Sequence, residues 1–201
     1  GLYRLALVLD QMGHLEKAGE ICETLLDQET SESGKVYLYN QLGLIKDKQG
    51  EYEEAMRFYQ KDLEISEKRL PANHPDLAMS YNNIGVVYNS MGNYSKALAS
   101  HEKALAIRKR SVPPTDPSLA SSYNNIGMVY NSMGKHRKAL ESCEKALEIQ
   151  QQSLPLTHPD LAWPHNNIGI AHKSMGDYPN ALASLEKALV IRQQSLSPIH
   201  P

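Results

Sequence analysis

The chain has 201 residues, 41% apolar and only 6% aromatic, and its 21 Lys and Arg against 23 Asp and Glu give a formal charge of -2. That balance argues against nucleic acid as a partner, because phosphate binding needs a dense basic footprint. No apolar run approaches the roughly 18 residues of a membrane span, two cysteines make no disulfide framework, and Gly1-Leu2-Tyr3 lacks the basic start of a secretory signal, so a cytoplasmic protein without membrane insertion is expected.

Five helical hairpins are predicted in chain order. The first, over 1–32, shows Met12-Gly13-His14 followed by Ala18. The second, over 33–74, carries Tyr39-Asn40-Gln41-Leu42-Gly43 and then Gln49-Gly50-Glu51-Tyr52, with its glycine 37 residues after Gly13. It has Lys46 where later copies have Tyr88, Tyr130 or His172, and Asp62 where they have Ala104, Ala146 and Ala188, so less regular stacking is expected there.

The third hairpin, over 75–116, sets the pattern. Leu77, Tyr81, Ile84 and Tyr88 recur at helical spacing, and Tyr94, Ala97, Leu98, His101, Leu105 and Ile107 give a second stripe. Met91-Gly92-Asn93 between them supplies a glycine stop and an Asn able to cap the next helix. The fourth, over 117–158, matches the third at 27 of 42 columns, so the two are copies. The fifth, over 159–200, repeats His165-Asn166-Asn167-Ile168-Gly169 and Ser174-Met175-Gly176 at the same 42-residue step. It places Pro164 several residues into its first helix, where a proline removes a hydrogen bond and kinks the chain. His74-Pro75, Asp116-Pro117 and His158-Pro159 start the last three units with proline at the first helical position, and Asp116 reads as an N-cap.

One hairpin cannot bury its apolar faces alone, so neighbours must stack. Small residues mark the close approaches: Gly43, Gly85, Gly127 and Gly169, with Ala6 in the first unit; Ala18, Ala55, Ala97, Ala139 and Ala181; and Ala104, Ala146 and Ala188. Glycine inside a helix costs about 1 kcal/mol relative to alanine, so four copies of it point to tight packing.

Tyr81, Ile84-Gly85, Tyr88, Ala97, His101 and Ala104 resemble the tetratricopeptide repeat signature. The 42-residue unit, the Asn-Asn-Ile run and Glu102-Lys103-Ala104-Leu105-Ala106-Ile107 resemble the kinesin light chain group in particular. The resemblance implies an all-α fold, a right-handed α-α superhelical solenoid of stacked antiparallel hairpins over 1–201. It further implies that first helices line a concave face whose Asn columns contact a bound peptide. Those columns are Asn40, Asn82, Asn124 and Asn166, then Asn83, Asn125 and Asn167, with Gln41 in the second unit. Farther along the same face come Val86, Met128 and Ile170, then Asn89, Asn131 and Lys173, then Ser90, Ser132 and Ser174. An amide both donates and accepts, so it pairs with a peptide backbone in either sense; the alternative is that some Asn fix repeat stacking. Trp163 lies on this side by spacing, as an anchor or as a packed aromatic beside Pro164. The face is nearly neutral, which disfavours an acidic C-terminal tail as ligand.

No catalytic constellation, metal site or cofactor is expected. His74, His158 and His200 belong to the repeated link, His165 and His172 replace Tyr at core columns, and Cys22 and Cys143 share a column with Tyr59 and His101 and read as core fillers. The expected function is a protein-interaction scaffold that binds a partner protein or extended peptide. The alternatives are an accessory array of a larger protein with a catalytic domain elsewhere, or a self-assembling structural array. Gly1 begins inside a unit and Ile199-His200-Pro201 repeats the link, so a longer array is expected, and the apolar Leu182, Leu185 and Leu189 suggest end-to-end self-association.

Overall fold

The computed structural model describes residues 2–196, which form ten α-helices, one 3₁₀ turn and no strand. The helices are α1 (Leu2–Gln11), α2 (Leu15–Gln28), α3 (Glu32–Gln49), α4 (Tyr52–Arg69), α5 (Pro75–Ser90), α6 (Tyr94–Ser111), α7 (Pro117–Ser132), α8 (His136–Ser153), α9 (Ala162–Ser174) and α10 (Tyr178–Leu196).

Each tight turn is built the same way. Gly13, Gly50, Gly92, Gly134 and Gly176 all have φ between 73° and 81°, the left-handed region that glycine enters without steric cost. The next residue's N–H then turns back to a carbonyl five residues earlier, as in Glu51 N to Lys46 O at 2.9 Å, Asn93 N to Tyr88 O at 2.8 Å and Lys135 N to Tyr130 O at 2.8 Å. Carbonyls left open at the helix end are thereby satisfied.

The longer links are capped by side chains. His74 Nδ1 accepts from Asp76 N at 3.2 Å, Asp116 Oδ1 from Ser118 N at 2.8 Å and His158 Nδ1 from Asp160 N at 3.3 Å, so these link residues serve as N-caps. His200 lies outside the described residues. The kink expected at Pro164 does not occur. Pro159–Leu161 forms the 3₁₀ turn and α9 starts at Ala162, which puts Pro164 in the first turn. N–H groups there have no intrahelical partner, so the proline ring removes nothing.

By its contacts the chain divides at Ser100 and His101 into two compact units. In the N-terminal unit, one cluster joins Ala6, Ala18 and Cys22 to Leu38, Leu42 and Ile45, and a second joins Ala55, Met56 and Tyr59 to Ile84 and Val87. Each cluster draws on a second helix and the first helix of the following hairpin, which is how stacking buries what a lone hairpin leaves open. In the C-terminal unit, Leu161 and Ala162 pack with Ala188 and Ile191, and Leu147 of α8 joins them. The small columns are interior, with Ala18, Ala55, Ala97, Ala104 and Ala146 fully buried.

The two irregular residues of the second hairpin are both accommodated. Lys46 bridges the turn to Glu51 at 2.7 Å and Glu54 at 3.5 Å. Asp62 is buried and accepts hydrogen bonds from Asn40 Nδ2 at 3.4 Å, Ser66 Oγ at 3.1 Å and Ser80 Oγ at 2.9 Å.

Candidate functional site

In the C-terminal unit the amides on the first helices sit deeper than Met128 and Ile170 beside them. In the leading Asn column, Asn40, Asn82 and Asn166 are half-buried, and Asn124 is only 2% exposed. Asn40 is committed to Asp62, a bond within the scaffold. In the second column Gln41, Asn83 and Asn125 are half-buried and Asn167 is 8% exposed. Farther along, Asn89 is half-buried, and Asn131 Oδ1 lies 2.9 Å from His136 Nδ1 at the start of α8. Met128 and Ile170 are 37% and 38% exposed, Val86 is half-buried and Trp163 is 49% exposed. In the C-terminal unit the solvent-facing rim is therefore apolar, with carboxamides set behind it.

In the C-terminal unit, α7 and α9 enclose a slot of about 130 Å³. Met128 and Ile170 border it, Asn131, Ser132 and Asn167 line it, and Gly127 and Cys143 complete it. Cys143 is buried, and that burial pushes its thiol up to about 12, with Glu144 a lesser cause, so the sulfur stays uncharged near neutral pH. No Asp, Glu, Lys or Arg lines the slot. The Asn167 Nδ2 group has no hydrogen-bond partner among the described residues.

Corresponding columns in the N-terminal unit, between α1 and α3, leave only about 10 Å³ beside Ala6, Leu7, Cys22, Gln41 and Ile45. Two ties cross there. The Tyr3 and Tyr37 rings lie 5.9 Å apart at 53°, and Lys48 Nζ meets Asp10 Oδ1 at 2.7 Å. The C-terminal unit has Asn124, Trp163, Ser174 and Asn131 in those four columns. The residue beside the glycine also matters. Cys22 and Cys143 are small, whereas in the second hairpin the same column holds Tyr59, whose ring lies against Gly43. The repeat pattern identified Met128, Asn131, Asn167 and Ile170 as candidates. It missed Gly127 and Cys143 as slot residues because both read as packing.

A larger hollow of about 570 Å³ borders Gln151, Leu156, His165, Glu186, Lys187 and Val190, mostly on α10. It mixes ionised groups of both signs and involves none of the repeated amide columns. Among the described residues, no group of three or more His, Cys, Asp or Glu side chains is placed to hold a metal ion. None of the described helices is long and apolar enough to cross a membrane.

Ten helices in consecutive hairpins, with glycine turns that recur every 42 residues from Gly50 onward and capped links between them, define a tandem helical-repeat protein. The sequence profile of the tetratricopeptide repeat matches residues 36–110 and 118–194, and the chain belongs to that family. Solved structures agree on the fold. BtubC (BKLC) from P. vanneervenii superposes with a TM-score of 0.82 at 24% identity, over 100% of this chain and 81% of that one. A putative kinesin light chain with nearly identical TPR-like repeats from Podosopora anserina gives 0.78 at 22% identity, over 98% and 96%. MamA gives 0.64 at 20% identity, over 96% and 97%. These likenesses show an α-solenoid of helix hairpins. No curated protein matches the chain in sequence.

Proposed function

We propose that this chain is a protein-interaction scaffold that holds an extended, largely uncharged segment of a partner protein on its first-helix faces. The observation that carries the reading is the once-per-repeat pairing of an amide with an apolar residue on the first helix, exposed at Met128 and Ile170 beside Asn131 and Asn167. Carboxamides hydrogen-bond a peptide backbone without reading charge, and apolar neighbours take up side chains. Solenoids of this kind present such faces for binding. His74 and His158 act as helix caps and Cys22 and Cys143 are buried, which supports a non-catalytic role.

The test begins with capture of partners by the intact chain and mapping of the bound segment. Binding of that segment is then measured by calorimetry on the wild type and on the Asn83→Ala, Asn125→Ala, Asn167→Ala triple variant. Each hydrogen bond contributes roughly 0.5–1.5 kcal/mol net, so the triple change is expected to weaken binding by about one to three decades. Binding is expected to vary little with salt, since few ion pairs are available to screen. Unchanged affinity with a collapsed melting temperature would make these Asn stacking residues and sink the reading.

A further inference from the structure

We infer that this chain associates head to tail with copies of itself, α10 of one molecule seating on α1 of the next in the way that α4 seats on α5 within the chain.

The contact between α4 and α5 shows what such a seat requires. Tyr52, Ala55, Met56, Tyr59 and Leu63 of α4 pack with Ile84, Val87 and Tyr88 of α5. The α4 residues fall at the spacing of one helical stripe, and the α5 residues lie about one turn apart. Both halves of this set recur elsewhere in the chain. In α10, three steps of 42 residues on, the same columns hold Tyr178, Ala181, Leu182, Leu185 and Leu189. In α1, aligned through Ala6 on Gly85, the columns of Ile84, Val87 and Tyr88 hold Leu5, Val8 and Leu9. Every position stays apolar, so α10 repeats the α4 half of the contact and α1 the α5 half.

Burial sets these two helices apart from the other copies. Ile84 and Val87 are 6% and 0% exposed, and the matching pairs Leu42 and Ile45, Ile126 and Val129, and Ile168 and Ala171 are buried too. Leu5 and Val8, in the same columns, are 47% and 48% exposed. On the other half, Met56 is buried and Leu63 half-buried, whereas Leu182 and Leu189 are 59% and 54% exposed. Residues that serve as core in other copies thus lie open on α1 and on α10, and an exposed apolar patch of this kind marks an interaction surface. The same comparison fixes the occupant. The columns open on α1 are the ones an α4-type stripe covers, and α10 carries that stripe.

The two faces differ, so the contact is heterologous. Each molecule offers one face to each neighbour, which builds rows of copies unless the rotation closes a ring. One helix pair is a small interface by the standard of stable complexes, so a dissociation constant on the order of 10–100 µM is expected.

The experiment is analytical ultracentrifugation of the full chain across a concentration range that brackets that value. Two variants each ruin one face: Leu5→Lys with Val8→Lys on α1, and Leu182→Lys with Leu189→Lys on α10. The replaced side chains are exposed, and thermal melts confirm that both variants fold. We expect the average mass of the wild type to rise with concentration. Each variant alone is expected to associate at least about a hundredfold more weakly, because a lysine ammonium placed in the contact is desolvated without a partner. Mixed in equal amounts, the two variants should form a one-to-one dimer and nothing larger, since together they retain one intact α10 face and one intact α1 face. A wild type that stays monomeric at roughly ten times the expected constant overturns the inference and leaves the binding of a partner segment untouched. Association that survives in either variant alone, or a mixture that stays monomeric, overturns the pairing of α10 with α1.

Discussion

A β-carbon added to Gly43 would come within 2.6 Å of the Tyr59 ring. Tyr59 is among the largest fully buried side chains, so the ring has nowhere to retreat. Alanine would gain about 1 kcal/mol in helix propensity, and overpacking costs about 1–3 kcal/mol. Gly43→Ala is therefore expected to lower stability by about 1 kcal/mol, read as a lower urea midpoint. A raised midpoint would show that the glycine column does not set helix spacing.

The carboxyl of Asp62 tests a different term. Burial pushes its pKa up, and the hydrogen bonds from Ser80, Asn40 and Ser66 pull it part of the way back. An acid held above its unfolded value destabilises the fold once it ionises, so its contribution falls as pH rises through the carboxylate range. Asp62→Asn keeps a hydrogen-bonding group without the charge. Its stability advantage over the wild type is expected to grow between about pH 4 and 7, whereas Asp62→Ala removes the acceptor of Asn40 and Ser66, with Ser80 left its bond to Asp76 O, and should cost about 1–3 kcal/mol. Chemical denaturation of the three proteins across that range decides it; parallel curves for wild type and Asp62→Asn would refute the burial argument.

His101 titrates with the opposite consequence. Desolvation, aided by Arg108, lowers its pKa to about 4, and Nδ1 has no partner among the described residues. The unfolded chain protonates near the ordinary value of about 6.5. Stability is thus full above that value and is lost as pH falls toward 4, by about 3 kcal/mol in all. His101→Leu should remove this acid sensitivity, leaving a flatter midpoint-against-pH profile from 7 to 4.5. An unchanged slope would place the acid sensitivity elsewhere.

The Asp116 cap is the shortest of the three proline-link caps, at 2.8 Å against 3.2 and 3.3 Å for the histidines. Asp116→Ala exposes an unsatisfied N–H at the start of α7 and should cost about 1 kcal/mol. Hydrogen exchange at Ser118 and Leu119 should speed up in the variant while the turn at Gly134 is unaffected. Uniform acceleration across the C-terminal unit would mean global destabilisation instead of a lost cap.

The fold was legible because it repeats. Tyr81-Asn82-Asn83-Ile84-Gly85 and Ser90-Met91-Gly92 return at a constant step, so one reading of helix, turn and link applied to every copy. Pro164 was misread because the sequence shows that link's proline but not that Pro159–Leu161 winds as 3₁₀, which moves the helix start. The site was only half legible. Helical spacing says which residues share a face, so Met128, Asn131, Asn167 and Ile170 emerged together. It does not say how deeply each sits, so the burial of Asn124 and Asn167 could not be read from it. The slot is space left over, and no single residue signals it. Cys22 and Cys143 read alike in the sequence, yet one borders a nearly closed gap because Tyr3, Tyr37, Asp10 and Lys48 close in beside it.

The residue opposite the helix glycine is Tyr59, Cys143 or Leu185 at Gly43, Gly127 and Gly169, so the glycine is kept in these copies while its neighbour changes. That division separates inheritance of shape from inheritance of taste. A lineage that duplicates such hairpins can alter the residue under one groove position and change which side chain fits above it, while turns, caps and close helix contacts stay as they are. Partner choice can then diverge one copy at a time.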